Sequence, residues 1–170
     1  MGEAEVLDTL LVVVSDRAAA GTRPDATAAL LRPALAAAGF ALCEVVVVPD
    51  ERPAIAQAIR AGAARAALVL TTGGTGVAPR DVTPEATRDV LEAEVPGLGE
   101  EMRRQSVARQ PKALGSRALG GVLGRSVVLN LPGRPEGALE CFGYVAGVLR
   151  HLCALRRGPV SDASHLPPGA

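Results

Sequence analysis

Ala66-Ala-Leu-Val-Leu70, followed by Thr71-Thr-Gly-Gly-Thr-Gly-Val-Ala-Pro-Arg-Asp-Val-Thr-Pro84, is the stretch that decides the fold. A short aliphatic run that stops at threonines and glycines reads as a buried strand of a parallel sheet. Beyond it the chain reads as a long loop leading into a helix, with Thr83 as the expected N-cap and Pro84 at the first helical position. Upstream, Leu10–Val14 and Val45–Val48 are two more aliphatic runs of the same kind. Pro24–Ala38, stopped by Gly39, and Pro53–Ala63 carry apolar residues at helical spacing between them. Downstream, Gly99–Arg109 reads as a helix, Ser126–Leu131 as a strand and Glu136–Arg156 as a last helix with Leu139, Phe142, Val145, Leu149 and Leu152 in one stripe. This alternation predicts a single α/β domain, a mostly parallel sheet with helices on both faces. The domain is expected over residues 1–157, with a flexible Pro- and Gly-rich tail over 158–170.

Composition narrows the function. Hydrophobic residues make up 48% of the chain and aromatics 2%, so the core is aliphatic. Lys+Arg and Asp+Glu both number 18, and a zero net charge argues against a nucleic-acid binder. Cys43, Cys141 and Cys153 show no CxxC spacing and read as reduced, small apolar filler. His151 and His165 lie far apart, which argues against a His/Cys metal site. No apolar run approaches a membrane span, and the N-terminus lacks the pattern of a signal peptide. A cytoplasmic protein is the expectation.

The loop carries the chemistry. After a buried strand, Thr72, Gly73, Gly74, Thr75 and Gly76 let the backbone turn sharply and aim several N–H groups at one point, a nest for an anion such as phosphate. A plain strand-to-helix turn would use the same glycines. Neither a Walker A loop nor a G-x-G-x-x-G fingerprint is present. Asp50 and Asp81 each come after a strand and belong at the carboxyl edge of the sheet, where ligands of open α/β sheets bind. Beside a phosphate nest they need a cation, and Mg²⁺ held by one or two carboxylates plus substrate phosphates is the natural one. Taken singly, Asp50 also fits a helix N-cap, and Asp81 an Asx turn or an ion pair with Arg80. Ser15 and Asp16 close the first strand on the same edge, either orienting a polar substrate or ending the strand. Asn130, Pro132 and Gly133 form a tight turn that either contacts ligand or only shapes the chain. Ser116-Arg117 offers a hydroxyl and a guanidinium fork for a phosphate, or a surface role.

Val14-Ser-Asp-Arg17, Val48-Pro-Asp-Glu51, Leu70-Thr-Thr-Gly-Gly-Thr-Gly76, Arg80-Asp-Val-Thr-Pro-Glu-Ala-Thr87 and Asn130-Leu-Pro-Gly133 occur in this order. Together they resemble the MogA/MoaB family of molybdenum cofactor biosynthesis proteins, from about Leu10 to about Arg157. The resemblance implies an α/β fold, a homotrimer or hexamer, and transfer of AMP from ATP to the terminal phosphate of molybdopterin. It implies that Asp50 and Asp81 are the catalytic, Mg-associated aspartates and that Ser116 lies near the pterin phosphate. A molybdenum-insertion enzyme is a candidate partner. Gly115 stands where the family more usually has a bulkier residue. The rival readings are a non-catalytic molybdopterin-binding or carrier paralogue and a structural trimer whose glycine loop serves assembly.

Overall fold

The computed structural model describes residues 5–22 and 26–158. The expected helix start at Pro24, residues 159–170 of the expected tail and His165 lie outside them. β1 (Leu7–Val14), β2 (Phe40–Val48), β3 (Leu68–Thr72), β4 (Ala93–Glu94), β5 (Gly120–Leu123) and β6 (Ser126–Leu131) form one sheet, ordered β2-β1-β3-β6-β5-β4. β2, β1, β3 and β6 run parallel, and β5 and β4 continue the sheet antiparallel.

The helices are α1 (Asp16–Ala19), α2 (Thr27–Ala37), α3 (Arg52–Ala63), α4 (Thr83–Arg88), α5 (Pro96–Val107) and α6 (Pro135–Arg157), with a 3₁₀ turn over Pro111–Gly115. Aliphatic side chains on both faces of the strands make two cores. Leu11 and Val13 of β1 join Leu31, Leu35, Met102, Phe142 and Leu149, contributed by α2, α5 and α6. Leu10, Val12 and Val14 join Ile55, Ile59, Ala86 and Val90 on the α3 and α4 side. That alternation is the period-2 geometry of a strand buried on both faces. α6 spans 23 residues and is apolar enough to match a membrane span by length and composition. Its buried face of Ala138, Cys141, Phe142, Val145, Leu149 and Cys153 is used inside the core.

The structure departs from the sequence-based expectations in several places: α1 and the 3₁₀ turn were not expected, and β2 starts at Phe40 and not at Val45. β4 and β5 were not expected. The β1–β2 register shifts between Thr9 and Leu10, where Thr9 pairs with Leu42 and Leu10 with Glu44. The extra residue is Cys43, which is exposed and hydrogen-bonds to Asp8, so this cysteine is a bulge residue and not filler. Cys141 and Cys153 are buried as expected, and burial pushes the Cys153 thiol up to about 12. Thr83, finally, does not cap α4: the N-cap position is Val82, without a side-chain cap bond.

Candidate active site

β1 leads through α2 to β2 on one side and the chain then crosses to β3 on the other, so the strand order reverses between β1 and β3. At such a switch point the carboxyl strand ends diverge and leave a crevice. Ser15 and Asp16 stand at the end of β1, Asp50 after β2 and the Thr72–Gly76 turn at the end of β3.

Gly73 and Gly74 adopt φ of +98° and +63°, conformations that L side chains rarely enter. Space makes the same demand. A Cβ on Gly73 would lie 2.3 Å from the Val14 carbonyl oxygen, and one on Gly74 2.4 Å from Thr83 Oγ1. Gly133, from the turn after β6, packs so closely that its Cβ would lie 3.1 Å from the Gly73 Cα. Thr83 clamps the turn from α4, its hydroxyl donating to Gly73 O at 2.8 Å and its N–H to Gly74 O at 3.1 Å. With the carbonyls so occupied, the N–H groups of Gly74, Thr75, Gly76 and Val77 donate to no described residue. Successive unpaired amides on a glycine turn make a concavity for an anion.

Both predicted aspartates face this turn. A Cβ on Gly74 would sit 3.3 Å from Asp50 Oδ1, and one on Gly76 2.8 Å from Asp81 Oδ2. Asp50 Oδ2 accepts from the Asp16 N–H at 2.9 Å, and the helix after it starts from Glu51 without a side-chain cap. Asp81 Oδ2 accepts from the Ala78 N–H at 2.9 Å, three residues back in the chain, and so does not form the Asx turn, which bonds to an N–H two residues on. Arg80 pairs with Asp16 at 2.5 Å rather than with Asp81. Each aspartate therefore keeps one oxygen, Oδ1, without a hydrogen bond to any described residue. No cluster of three or more His, Cys, Asp or Glu able to hold a metal occurs among the described residues. Two aspartates against the turn, each with one oxygen uncommitted, fit Mg²⁺ held jointly with substrate phosphates, and do not fit an all-protein cage.

Thr75 and Gly76 also line a cavity of about 550 Å³. Ser116, Pro132 and Gly133 line it, as do Met102 and Cys141. Four cationic side chains reach it. Arg103 is committed to the Ser116 and Ala118 carbonyls, and Arg109 to Glu140 at 3.4 Å. The side chains of Lys112 and Arg134 have no hydrogen-bond or ion-pair partner among the described residues. Gly115 has open space where a Cβ would go.

Not every predicted contact faces the crevice. Asn130 is fully buried, and its amide donates to Thr71 Oγ1 and Thr87 Oγ1, both at 2.9 Å. Thr87 Oγ1 donates in turn to Thr83 O at 2.8 Å. The Asn130 side chain is thus an internal tie between β3, β6 and α4, and a direct ligand contact is ruled out by burial. Thr72 is also buried, its hydroxyl without a hydrogen-bond partner among the described residues. Ser15 Oγ accepts the Ala18 N–H as the cap of α1. Arg117 is not a free phosphate fork, since its guanidinium is spent on Gly76 O, Asp81 O and Glu85. Sequence reading missed Lys112, Arg134 and the Arg117–Glu85 pair as site elements. Lone cations in a loop carry no signal of which cavity they will line.

Fold and site together define an open, mostly parallel α/β domain with its ligand crevice at the switch point of the sheet. Residues 10–151 match the family described as "probable molybdopterin binding domain", and the chain belongs to that family. It is 45% identical over 135 residues to a molybdopterin adenylyltransferase of Haemophilus influenzae, covering 76% of this chain and 68% of the relative. The Drosophila melanogaster molybdenum cofactor synthesis protein cinnamon is 44% identical over 126 residues, 72% of this chain. The chain spans only 21% of the length of cinnamon. The crystal structure of the molybdopterin biosynthesis enzyme MoaB from Thermus thermophilus superposes with a TM-score of 0.84 at 44% identity, covering 90% of this chain and 98% of that one.

Proposed function

We propose that this chain is a molybdopterin adenylyltransferase, which transfers AMP from ATP to the terminal phosphate of molybdopterin and releases pyrophosphate. One observation carries the reading: four unpaired amides and two half-committed aspartates meet at a single turn, whose Thr75 and Gly76 also line a cation-rimmed cavity. The amides of Gly74–Val77 receive a phosphate group. The cavity takes the pterin, with Met102 and Cys141 against its flat body and Lys112 and Arg134 toward its anionic arm. An oxygen of the molybdopterin phosphate then attacks the α-phosphorus of ATP. The bond from that phosphorus to the bridging oxygen breaks, and pyrophosphate leaves.

No side chain forms a covalent intermediate; positioning and charge stabilisation do the work. Asp50 and Asp81 are the residues that would hold Mg²⁺, which when bound neutralises charge on the transferring phosphoryl group. Asp16 and Arg80 keep Asp50 in place, and Ser116 stands at the cavity wall near the pterin phosphate. A homotrimer or hexamer and a cytoplasmic setting belong to the same proposal. Exposed apolar side chains on β2 (Val45, Val47) and α6 (Val148, Leu155) support association.

The test is pyrophosphate release from ATP with molybdopterin and Mg²⁺ present. Release that requires all three supports the activity. Tight molybdopterin binding without release supports the carrier reading in its place.

A further inference from the structure

We infer that Arg117, which no ligand contact explains, is the positioning residue of Asp81, an inference resting on the adenylyl-transfer reading above. Asp81 ends an exposed segment, Val77–Arg80, that contributes nothing to either core. Two of its hydrogen bonds are internal to that loop: its N–H donates to Ala78 O at 2.8 Å, and its Oδ2 accepts from the Ala78 N–H at 2.9 Å. Only one bond ties it to the rest of the described protein, the donation from Arg117 Nη2 to Asp81 O at 2.6 Å.

The same side chain also holds the other end of the segment. Arg117 Nε donates to Gly76 O at 2.7 Å, and the Arg117 backbone N–H donates to Thr75 O at 2.8 Å. Its third arm, Nη1, makes an ion pair with Glu85 on α4. Burial works against the Glu85 carboxylate, but the Arg117 hydrogen bond and charge prevail and hold its pKa below the ordinary value. One planar fork therefore ties the phosphate turn, the Asp81 backbone and the helix behind them. A lysine has no such fork; its ammonium cannot reach two carbonyls and a carboxylate from one rigid plane. Because Ser116 precedes Arg117 and lines the cavity, the clamp also joins the pterin wall to the metal-side carboxylate.

R117K and R117A test this against wild type. R117K should melt within about 3 °C of wild type, since it keeps the charge opposite Glu85. Its Kd for molybdopterin should stay within about twofold while kcat falls about a hundredfold, the scale of an ångström-level misplacement. The Mg²⁺ concentration for half-maximal rate should rise. Amide hydrogen exchange of residues 77–81 should accelerate in the ligand-free variant while β1 and β3 keep their protection. Millimolar guanidinium should restore part of the R117A rate. Turnover within about threefold of wild type with unaltered loop exchange would overturn the assignment. So would a joint fall of pterin affinity, turnover and melting temperature, which reduces Arg117 to support of the fold. A wild type that releases no pyrophosphate refutes the activity itself, and the loop-exchange comparison then still decides whether Arg117 holds Asp81.

Discussion

Asp16 and Asp50 hold each other through an exchanged pair of hydrogen bonds, the Asp16 N–H donating to Asp50 Oδ2 and the Asp50 N–H to Asp16 Oδ1, both at 2.9 Å. The exchange closes the carboxyl ends of β1 and β2 on each other and fixes one oxygen of Asp50 while leaving the other free. Arg80 completes the arrangement by pairing with Asp16 across the crevice. Asp16, read from the sequence as either orienting a polar substrate or ending the strand, is bonded here to a neighbouring aspartate.

This pairing has a pH signature. The Asp50 backbone N–H, and after it Arg80, hold the Asp16 carboxyl below its ordinary value of 3.8. A carboxylate with a lowered folded pKa contributes stability that is present above the unfolded value and lost as pH falls through the folded one. Melts of wild type and D16N should differ modestly near neutral pH and converge as pH falls below about 4. A gap that stays constant down to strong acid would remove Asp16 from the pairing.

Gly74 combines a positive φ with a blocked Cβ position. G74A should cost about 1–3 kcal/mol of stability, the scale of a strained backbone, and weaken ATP binding besides. The alanine Cβ already meets Thr83 Oγ1 at 2.4 Å, and a valine would add two γ-methyls to that crowding, so its defect would extend to folding. G115A, at an open position of ordinary backbone, is the matched control and should melt like wild type. Equal melting temperatures for G74A and G115A would contradict the steric account.

Asn130 is predicted to act on stability and not on binding. N130A strips the donors from Thr71 and Thr87 inside the core and should cost about 2–4 kcal/mol. The folded variant should keep its substrate KM near the wild-type value. Wild-type melting with a raised KM would return Asn130 to direct contact with ligand.

Lys112 and Arg134 should behave in the opposite way. Replacing either with alanine should raise the molybdopterin KM about three- to tenfold, with kcat and melting temperature little changed, as for the loss of uniform binding. The affinity should also lose part of its salt dependence. Unchanged KM in both variants would place the anionic arm of the pterin elsewhere.

The central strands, the helices on both faces and the glycine turn were legible because each has a local cause. Aliphatic runs mark β1, β3 and β6, and Thr71–Pro84 marks the switch-point loop. β5 was not legible: Gly120-Gly121 lowers strand propensity, and the reason for Gly121 is non-local, since a Cβ there would lie 2.3 Å from the Ala93 carbonyl oxygen. β4 is two residues long and pairs only with β5, so it fell with it. At the site, Asp50 and Asp81 were readable as strand-end carboxylates. Arg117 was not, because its three partners lie between 32 and 41 residues away in the chain. Asn130 was misread for a related reason. Proximity to a Pro-Gly turn suggested a ligand contact, but its position on a strand buried on both faces dictates an internal network.

The most direct measurement is pyrophosphate release by wild type, D50N and D81N, each with ATP, molybdopterin and Mg²⁺, alongside thermal melts of the same samples. Asparagine preserves the shape of each side chain and removes the charge beside the turn. The account predicts release by wild type, a fall of at least about a hundredfold in each variant, the scale for losing a stabiliser of transition-state charge, and melting temperatures nearly unchanged. Molybdopterin binding without ATP should survive, because the amides and the cavity are intact. Near-normal turnover in both variants, from proteins that melt like wild type, would contradict the claim that Asp50 and Asp81 carry the reaction.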